Sequence, residues 1–321
     1  MRLFITGSTG FIGRHLVRRL SQRREDELFV LVRNTSSLNL IPSAVHILRG
    51  DICDFSSCQK ALAYSKPDIL FHCAGFVGED RNLLWRINVE GTKNIAEAAF
   101  KEGVRRVVYL SSVSVNSANP SLPLREEDPF RASNLYGESK IAAEKIIWKY
   151  AKEGLNVVVL RPCMVYGEDE PHMLGTILWL LKRRLYPIIG KGNWRWHLLY
   201  VENLVEAMLL ASKIDYSGPY NIADRGALTA QEVFALMAEV LKVPPPWHLP
   251  KKIAYGLGGA AEVLNKAGFR IPFSRRSVDF LSKDRLYSIE RAVKIMGYNP
   301  PWNVKEALCL SVERYCADHY A

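Results

Sequence analysis

Three glycines near the N-terminus constrain this chain more than any other feature. The apolar run Leu3-Phe4-Ile5 leads directly into Thr6-Gly7-Ser8-Thr9-Gly10-Phe11-Ile12-Gly13, and a helical pattern follows over residues 11–23. Gly7 permits a tight turn, Gly10 lets a pyrophosphate approach the backbone, and Gly13 lets the helix pack closely on the strand. The helix start then offers free N–H groups and a positive dipole end to phosphates. A strand–turn–helix of this kind predicts a nucleotide site built from Gly7, Thr9, Gly10, Phe11, Ile12 and Gly13.

The rest of the first half has the matching rhythm. Short apolar runs at 28–32, 45–48, 69–72, 107–111 and 157–160 are rich in Val, Ile, Leu and Phe on both faces, as strands covered by helices on each side must be. Helical stretches lie between them, near 56–64, 83–102 and 134–153. The alternation predicts an α/β class with a doubly wound parallel sheet. After Pro162 the pattern changes: helices near 173–184 and 201–213, a short strand at 220–222, and a mostly helical remainder. The expected division is a nucleotide-binding domain over 1–165, to which 197–225 returns, and a smaller substrate lobe of 166–196 and 226–321.

Composition narrows the function classes. With 321 residues, 48% of them hydrophobic, the chain can bury a large core, which excludes disorder. No apolar run reaches the roughly 20 residues of a membrane span, and the first residues read as a strand rather than a leader. Six cysteines form no Cys-x-x-Cys pair and seven histidines form no His-Glu-x-x-His pattern. No metal site or disulfide scaffold is expected, and reduced thiols suit a cytoplasmic protein. The formal charge of +10 comes with scattered basic pairs, not a basic patch interleaved with aromatics, so no nucleic-acid partner is expected.

Tyr136-Gly137-Glu138-Ser139-Lys140 lies at the start of a predicted helix, and its four-residue spacing puts Tyr136 and Lys140 on one face. A tyrosine ordinarily titrates near pH 10. A nearby ammonium favours its phenolate, so that Tyr136 exchanges a proton with a substrate hydroxyl or carbonyl. The preceding strand ends in Ser111-Ser112.

The glycine pattern T-G-x-x-G-x-x-G, with Gly10-Phe11-Ile12-Gly13 within it, resembles that of the extended short-chain dehydrogenases/reductases, the NAD-dependent epimerase/dehydratase family. Further matches follow in order: Gly50-Asp51-Ile52, His72-Cys73-Ala74-Gly75, Asn88-Val89-Glu90-Gly91-Thr92, Tyr136-x-x-x-Lys140, Leu160-Arg161-Pro162 and Val165-Tyr166-Gly167. The resemblance implies a Rossmann fold and a catalytic set of Ser112 (preferred to Ser111), Tyr136 and Lys140. It places Asp51 and Ile52 at the adenine and Ala74, Gly75 and Pro162 near the nicotinamide. Lys140 also holds the nicotinamide ribose, Asn88 supports the region, and a homodimer forms through the helices at 83–102 and 134–153. Where an acid would hold the adenosine ribose, Arg33 stands at the second strand's end. It suits a 2′-phosphate, so NADP(H) is favoured with NAD(H) as the alternative.

For the substrate, the resemblance leans to the 3β-hydroxysteroid dehydrogenase and dihydroflavonol reductase-like branch: hydride transfer on an alcohol or ketone of a largely apolar substrate. Sugar-nucleotide epimerases carry an arginine five residues before a V-x-D motif. Here Trp196 takes that place, Arg195 is one residue out of register, and Asn203 replaces the acid. An NDP-sugar epimerase or dehydratase that recycles its cofactor stays open, as does a non-catalytic NADP(H)-binding regulator, although Ser112, Tyr136 and Lys140 are intact. The apolar, small-residue-rich stretch 253–264 walls a substrate pocket, touches a membrane surface peripherally, or is core; the sequence leaves all three open. His72 reads as a strand-end residue and Cys163 as a core filler. Trp194, Trp196 and His197 read as cleft lining or packing.

Overall fold

Strand β1 (Arg2–Thr6) is almost wholly buried, as expected of an apolar run with helices on both sides. It lies inside a seven-stranded sheet with β2 (Glu27–Val32), β3 (His46–Arg49), β4 (Ile69–His72), β5 (Arg106–Leu110), β6 (Val157–Pro162) and β7 (Gly218–Ile222). The order is β7-β6-β5-β4-β1-β2-β3, with every pair parallel. From β1 the chain builds outward to β3, then returns to place β4 on the other side of β1. The loops after β1 and β4 therefore diverge, and such a switch point is where open α/β sheets bind their ligands. The computed structural model describes every residue except 24, 172, 267, 269–272 and 321.

Helices α1 (Phe11–Leu20), α2 (Phe55–Ser65), α3 (Gly91–Lys101), α4 (Leu135–Lys152) and α5 (Val201–Ala211) connect or follow the strands. Phe4, Leu31, Leu70, Tyr109 and Val159 of the sheet pack with Leu62 of α2, Ile95 of α3 and Ile147 of α4. Alternate strand residues Ile5, Phe71, Val108 and Val158 are equally buried. Successive strand side chains point to opposite faces, so these four face the other layer, where α1 packs on α5. Burying each such side chain stabilises the fold by roughly 1.5–3 kcal/mol.

One predicted helix differs. Residues 83–102 do not form a single α-helix: a turn at Arg81–Leu84 widens into a π-helical stretch, Trp85–Glu90, before α3 begins. Arg81 lies over the Trp85 ring at 4.4 Å, and Asn88 is buried within the wide turn.

The chain divides into two units: Met1–Val165 with Val201–Ala223 and Tyr287–Pro301, and Tyr166–Tyr200 with Asp224–Leu286 and Trp302–Ala321. Tyr287–Pro301 lies with the sheet, not in the lobe where the sequence reading put it. Short-range patterning hides the reason, which is a set of long-range bonds. Ser288 donates its N–H to the Leu124 carbonyl at 2.8 Å, and Arg291 reaches Glu127 at 3.4 Å. The second unit is largely helical. Its helix Ala230–Val240 begins with a reciprocal cap between Thr229 and Glu232. Buried Glu168 accepts hydrogen bonds from Tyr200 and Arg314.

Candidate active site

The turn after β1 is packed backbone to backbone. Gly7 has φ +73°, and a Cβ there would lie 2.6 Å from the Ala74 nitrogen; a Cβ on Gly13 would lie 2.0 Å from the Gly7 carbonyl oxygen. Only glycine allows this close approach of β1, α1 and the β4 loop. Gly10 caps α1 with no side-chain hydrogen bond, no acid stands in the first turn, and Thr9 and Gly10 are exposed. The helix start thus keeps its N–H groups and positive end open to an anion. Phe11 and Ile12 are half-buried in that first turn.

His72 ties this region together. Its Nδ1 bonds Thr6 Oγ1 at 2.7 Å and its Nε2 bonds Thr92 Oγ1 at 3.1 Å, joining β1, β4 and the start of α3. Burial, with the Lys140 charge adding, pushes its pKa down to about 3, so the ring is neutral and both nitrogens are occupied.

On the other side of the switch point, β5 ends at Ser111 and Ser112. Ser112 Oγ caps the 3-10 turn Val113–Asn116 by accepting from the Ser114 N–H at 3.1 Å. Helix α4 packs directly on this turn: a Cβ on Gly137 would lie 2.6 Å from the Ser114 carbonyl oxygen. Asn134 caps the helix by accepting from the Gly137 N–H at 2.8 Å. Burial raises Tyr136 to about 12, against the smaller opposing effect of the nearby Ser112 hydroxyl. Lys140, one turn on, is buried; its Nζ donates to the Leu110 carbonyl at 2.9 Å and lies over the Tyr109 ring at 5.2 Å. Burial lowers its pKa to about 8, against the opposing pull of Glu144. The sequence reading had the ammonium draw Tyr136 toward its phenolate. Here the ammonium is turned to Leu110 and the Gly75 side, and desolvation of Tyr136 prevails.

Asn88, delivered by the π-helical stretch, clamps the loop after β4. Its side chain donates to the Phe76 carbonyl (2.9 Å) and to Ser139 Oγ (3.0 Å), and accepts from the Phe76 N–H (2.7 Å). Gly75 lies between Asn88 and Lys140, where a Cβ would stand 3.4 Å from Asn88 Oδ1 and 3.5 Å from Lys140 Nζ. Pro162 ends β6, beside the end of β5. Ser112, Tyr136, Lys140, Gly75 and Asn88 thus form one cluster. Arg33, Asp51 and Ile52 lie beyond β2 and β3, across the switch point. The Asp51 carboxylate accepts from the Cys53 N–H at 2.9 Å, and Ile52 fills the space that Gly91 leaves open.

Two features escaped the sequence reading. One turn beyond Lys140 on α4, Glu144 forms a buried two-pronged pair with Arg161 (2.9 and 2.8 Å) and accepts from Ser111 Oγ at 2.5 Å. Residues 136, 140 and 144 repeat at helical spacing, and Arg161 interrupts an otherwise apolar strand; both signals were present. The other is Arg49, whose Nη1 donates to the Arg33 carbonyl at 2.9 Å, bringing a second exposed guanidinium to the end of β2.

A family model described as the NAD dependent epimerase/dehydratase family matches residues 3–223. The chain belongs to this family. It is 27% identical to a 3 beta-hydroxysteroid dehydrogenase/Delta 5-->4-isomerase of Mycobacterium tuberculosis, over 96% of this chain and 88% of that protein. It is also 27% identical to a UDP-glucose 4-epimerase of Vibrio cholerae, over 95% of this chain and 92% of that one. The crystal structure of a Thermotoga maritima UDP-glucose 4-epimerase with UDP-glucose superposes with a TM-score of 0.80 at 21% identity, covering 99% of both chains. The Rossmann fold and an enzymatic, nicotinamide-dependent family are therefore established, and both dehydrogenases and epimerases stand among the relatives of this epimerase/dehydratase member.

Proposed function

We propose that this chain transfers hydride between a nicotinamide and an alcohol or ketone carbon of a largely apolar substrate, with net turnover of the cofactor. The observation that carries this reading is Trp196. At the position where sugar-nucleotide epimerases hold a diphosphate with arginine, Trp196 is buried, donates its indole N–H to the Lys283 carbonyl at 3.1 Å and meets Phe234 edge-on. Strand alternation turns its neighbour Arg195 outward to solvent. Asn203, buried on α5, stands in place of the acid of that motif.

The residues present suit the cofactor, because the start of α1 has no side-chain cap and no acid in its first turn, and Thr9 and Gly10 leave it exposed to a pyrophosphate. Gly7, Thr9, Gly10, Phe11, Ile12 and Gly13 would hold the pyrophosphate, Asp51 and Ile52 the adenosine, and Ala74, Gly75, Asn88, Lys140 and Pro162 the nicotinamide riboside. When bound, the nicotinamide supplies or accepts the hydride. Ser112 hydrogen-bonds the reacting substrate oxygen and fixes it against Tyr136. Tyr136, neutral in the free protein, donates its phenolic proton to a carbonyl oxygen, or takes the proton of a hydroxyl in the reverse direction. Lys140, turned to the Leu110 carbonyl and the Gly75 side, would hold the hydroxyls of the nicotinamide ribose.

Arg33 and Arg49 together suit the 2′-phosphate of NADP(H). Calorimetric titration checks this: Arg33→Ser should weaken NADP(H) binding about tenfold or more and leave NAD(H) binding nearly unchanged. Equal losses for both cofactors, or tighter NAD(H) binding by the unaltered protein, would reject the preference. The substrate class is tested by screening sterols and aryl ketones against UDP-sugars while following the absorbance of reduced nicotinamide. Net cofactor consumption with the apolar set is expected. Conversion of a UDP-sugar with no net change would install the epimerase reading, which the Vibrio cholerae relative favours.

A further inference from the structure

We propose that the helix Lys251–Lys266 lies flat on an anionic lipid bilayer and docks the protein there. The helix is two-faced in an unusual sense. One side, with Ala254, Gly258, Gly259 and Ala261, is sealed against the helix Arg275–Leu281: a Cβ on Gly258 would lie 2.7 Å from the Arg275 nitrogen. At 3.6 residues per turn, Ile253, Gly256, Leu257, Ala260, Val263 and Leu264 fall within one arc of about 120°. That arc holds no polar side chain, and it is open. Ile253 and Leu257 are each 53% exposed, Val263 66% and Leu264 42%. One face of the apolar stretch 253–264 is therefore packed and the other is open.

Charge selects the occupant. Lys252 and Lys266 stand exposed at the two ends of the stripe, and Arg275 and Arg276 are exposed on the packed neighbour. The acids of the same region each have a hydrogen-bond partner: Glu262 accepts from the Arg275 N–H, Asp279 from Tyr255 and Asp284 from the Arg195 N–H. Trp247, just before the helix, is exposed with its indole N–H donated to the Arg184 carbonyl. An apolar face rimmed by cations, with a tryptophan at its edge, is the pattern of a helix seated among lipid headgroups. A second copy of the chain would set these like charges against one another across the axis of symmetry. No helix among the described residues is long and apolar enough to cross a membrane, so the contact is peripheral. It stands whichever substrate the active site takes.

The test is co-sedimentation of the full chain with phosphatidylcholine vesicles, with and without phosphatidylserine. Binding should require phosphatidylserine and weaken with salt. Lys252→Gln with Lys266→Gln and Arg276→Gln should weaken it about a hundredfold. Ile253→Gln with Leu257→Gln should abolish it while circular dichroism melting stays unchanged; should that pair unfold, the basic variant still decides. Absence of vesicle binding, equal binding to neutral vesicles, or a dimer in sedimentation equilibrium that Leu257→Gln dissociates would each overturn the proposal.

Discussion

At Lys140 the fold holds an ammonium away from water, with the Leu110 carbonyl as its hydrogen-bond acceptor. Its pKa is 10.5 when unfolded and about 8 when folded. Between those values the unfolded chain keeps a proton that the folded chain has released, so unfolding free energy rises with pH across that window. Below about 8 both states are protonated, and the cost of the buried charge is fully present. Urea titrations of wild type and Lys140→Met should therefore show the wild type gaining on the variant as pH climbs from about 8 to 10.5. A constant difference would contradict the lowered pKa. Glu144 answers to a different balance. Glu144→Gln leaves Arg161 as a buried charge without its counter-ion, and the expected loss is about 3–5 kcal/mol in urea unfolding. A loss under about 1 kcal/mol would make the pair equivalent to an exposed one.

The elements that place the site were legible to different degrees. The period of the apolar residues gave the parallel strands and the long helices, because strands buried on both faces leave continuous apolar runs. Gly7 and Gly13 gave the β1–α1 turn for a steric reason that the close backbone contacts bear out. Gly13→Ala should accordingly destabilise the fold by about 1–3 kcal/mol, since the new methyl group meets the Gly7 carbonyl, and should weaken cofactor binding. Thermal melting and calorimetry check both; an unshifted melting temperature would mean that α1 packs otherwise. The π-helical stretch at Trp85–Glu90 was not legible, because its residues carry the same helical propensity as their neighbours and only the packing around Asn88 selects the wider turn. The packing of Gly137 on the 3-10 turn was equally hidden. It depends on the fit between α4 and the end of β5, which no local pattern records.

Across the whole molecule, each unit is assembled from segments distant in sequence. Tyr287–Pro301 joins the first unit through hydrogen bonds to the Leu124 region, and a reading of local pattern cannot see a partner so far away in the chain. The substrate is written at this scale too. Equal identity to a steroid dehydrogenase and to a sugar-nucleotide epimerase leaves the choice to individual positions such as Trp196. The measurement that bears most directly on the account is the stoichiometry of nicotinamide against product, taken with a sterol or aryl ketone that the screen identifies, for wild type and Tyr136→Phe. One cofactor oxidised or reduced per product is expected in the wild type. Tyr136→Phe, which loses only the phenolic hydroxyl, should turn over about a hundredfold more slowly or worse while binding cofactor as tightly. Product formed without net cofactor change, or a Tyr136→Phe variant that keeps most of its activity, would contradict the account.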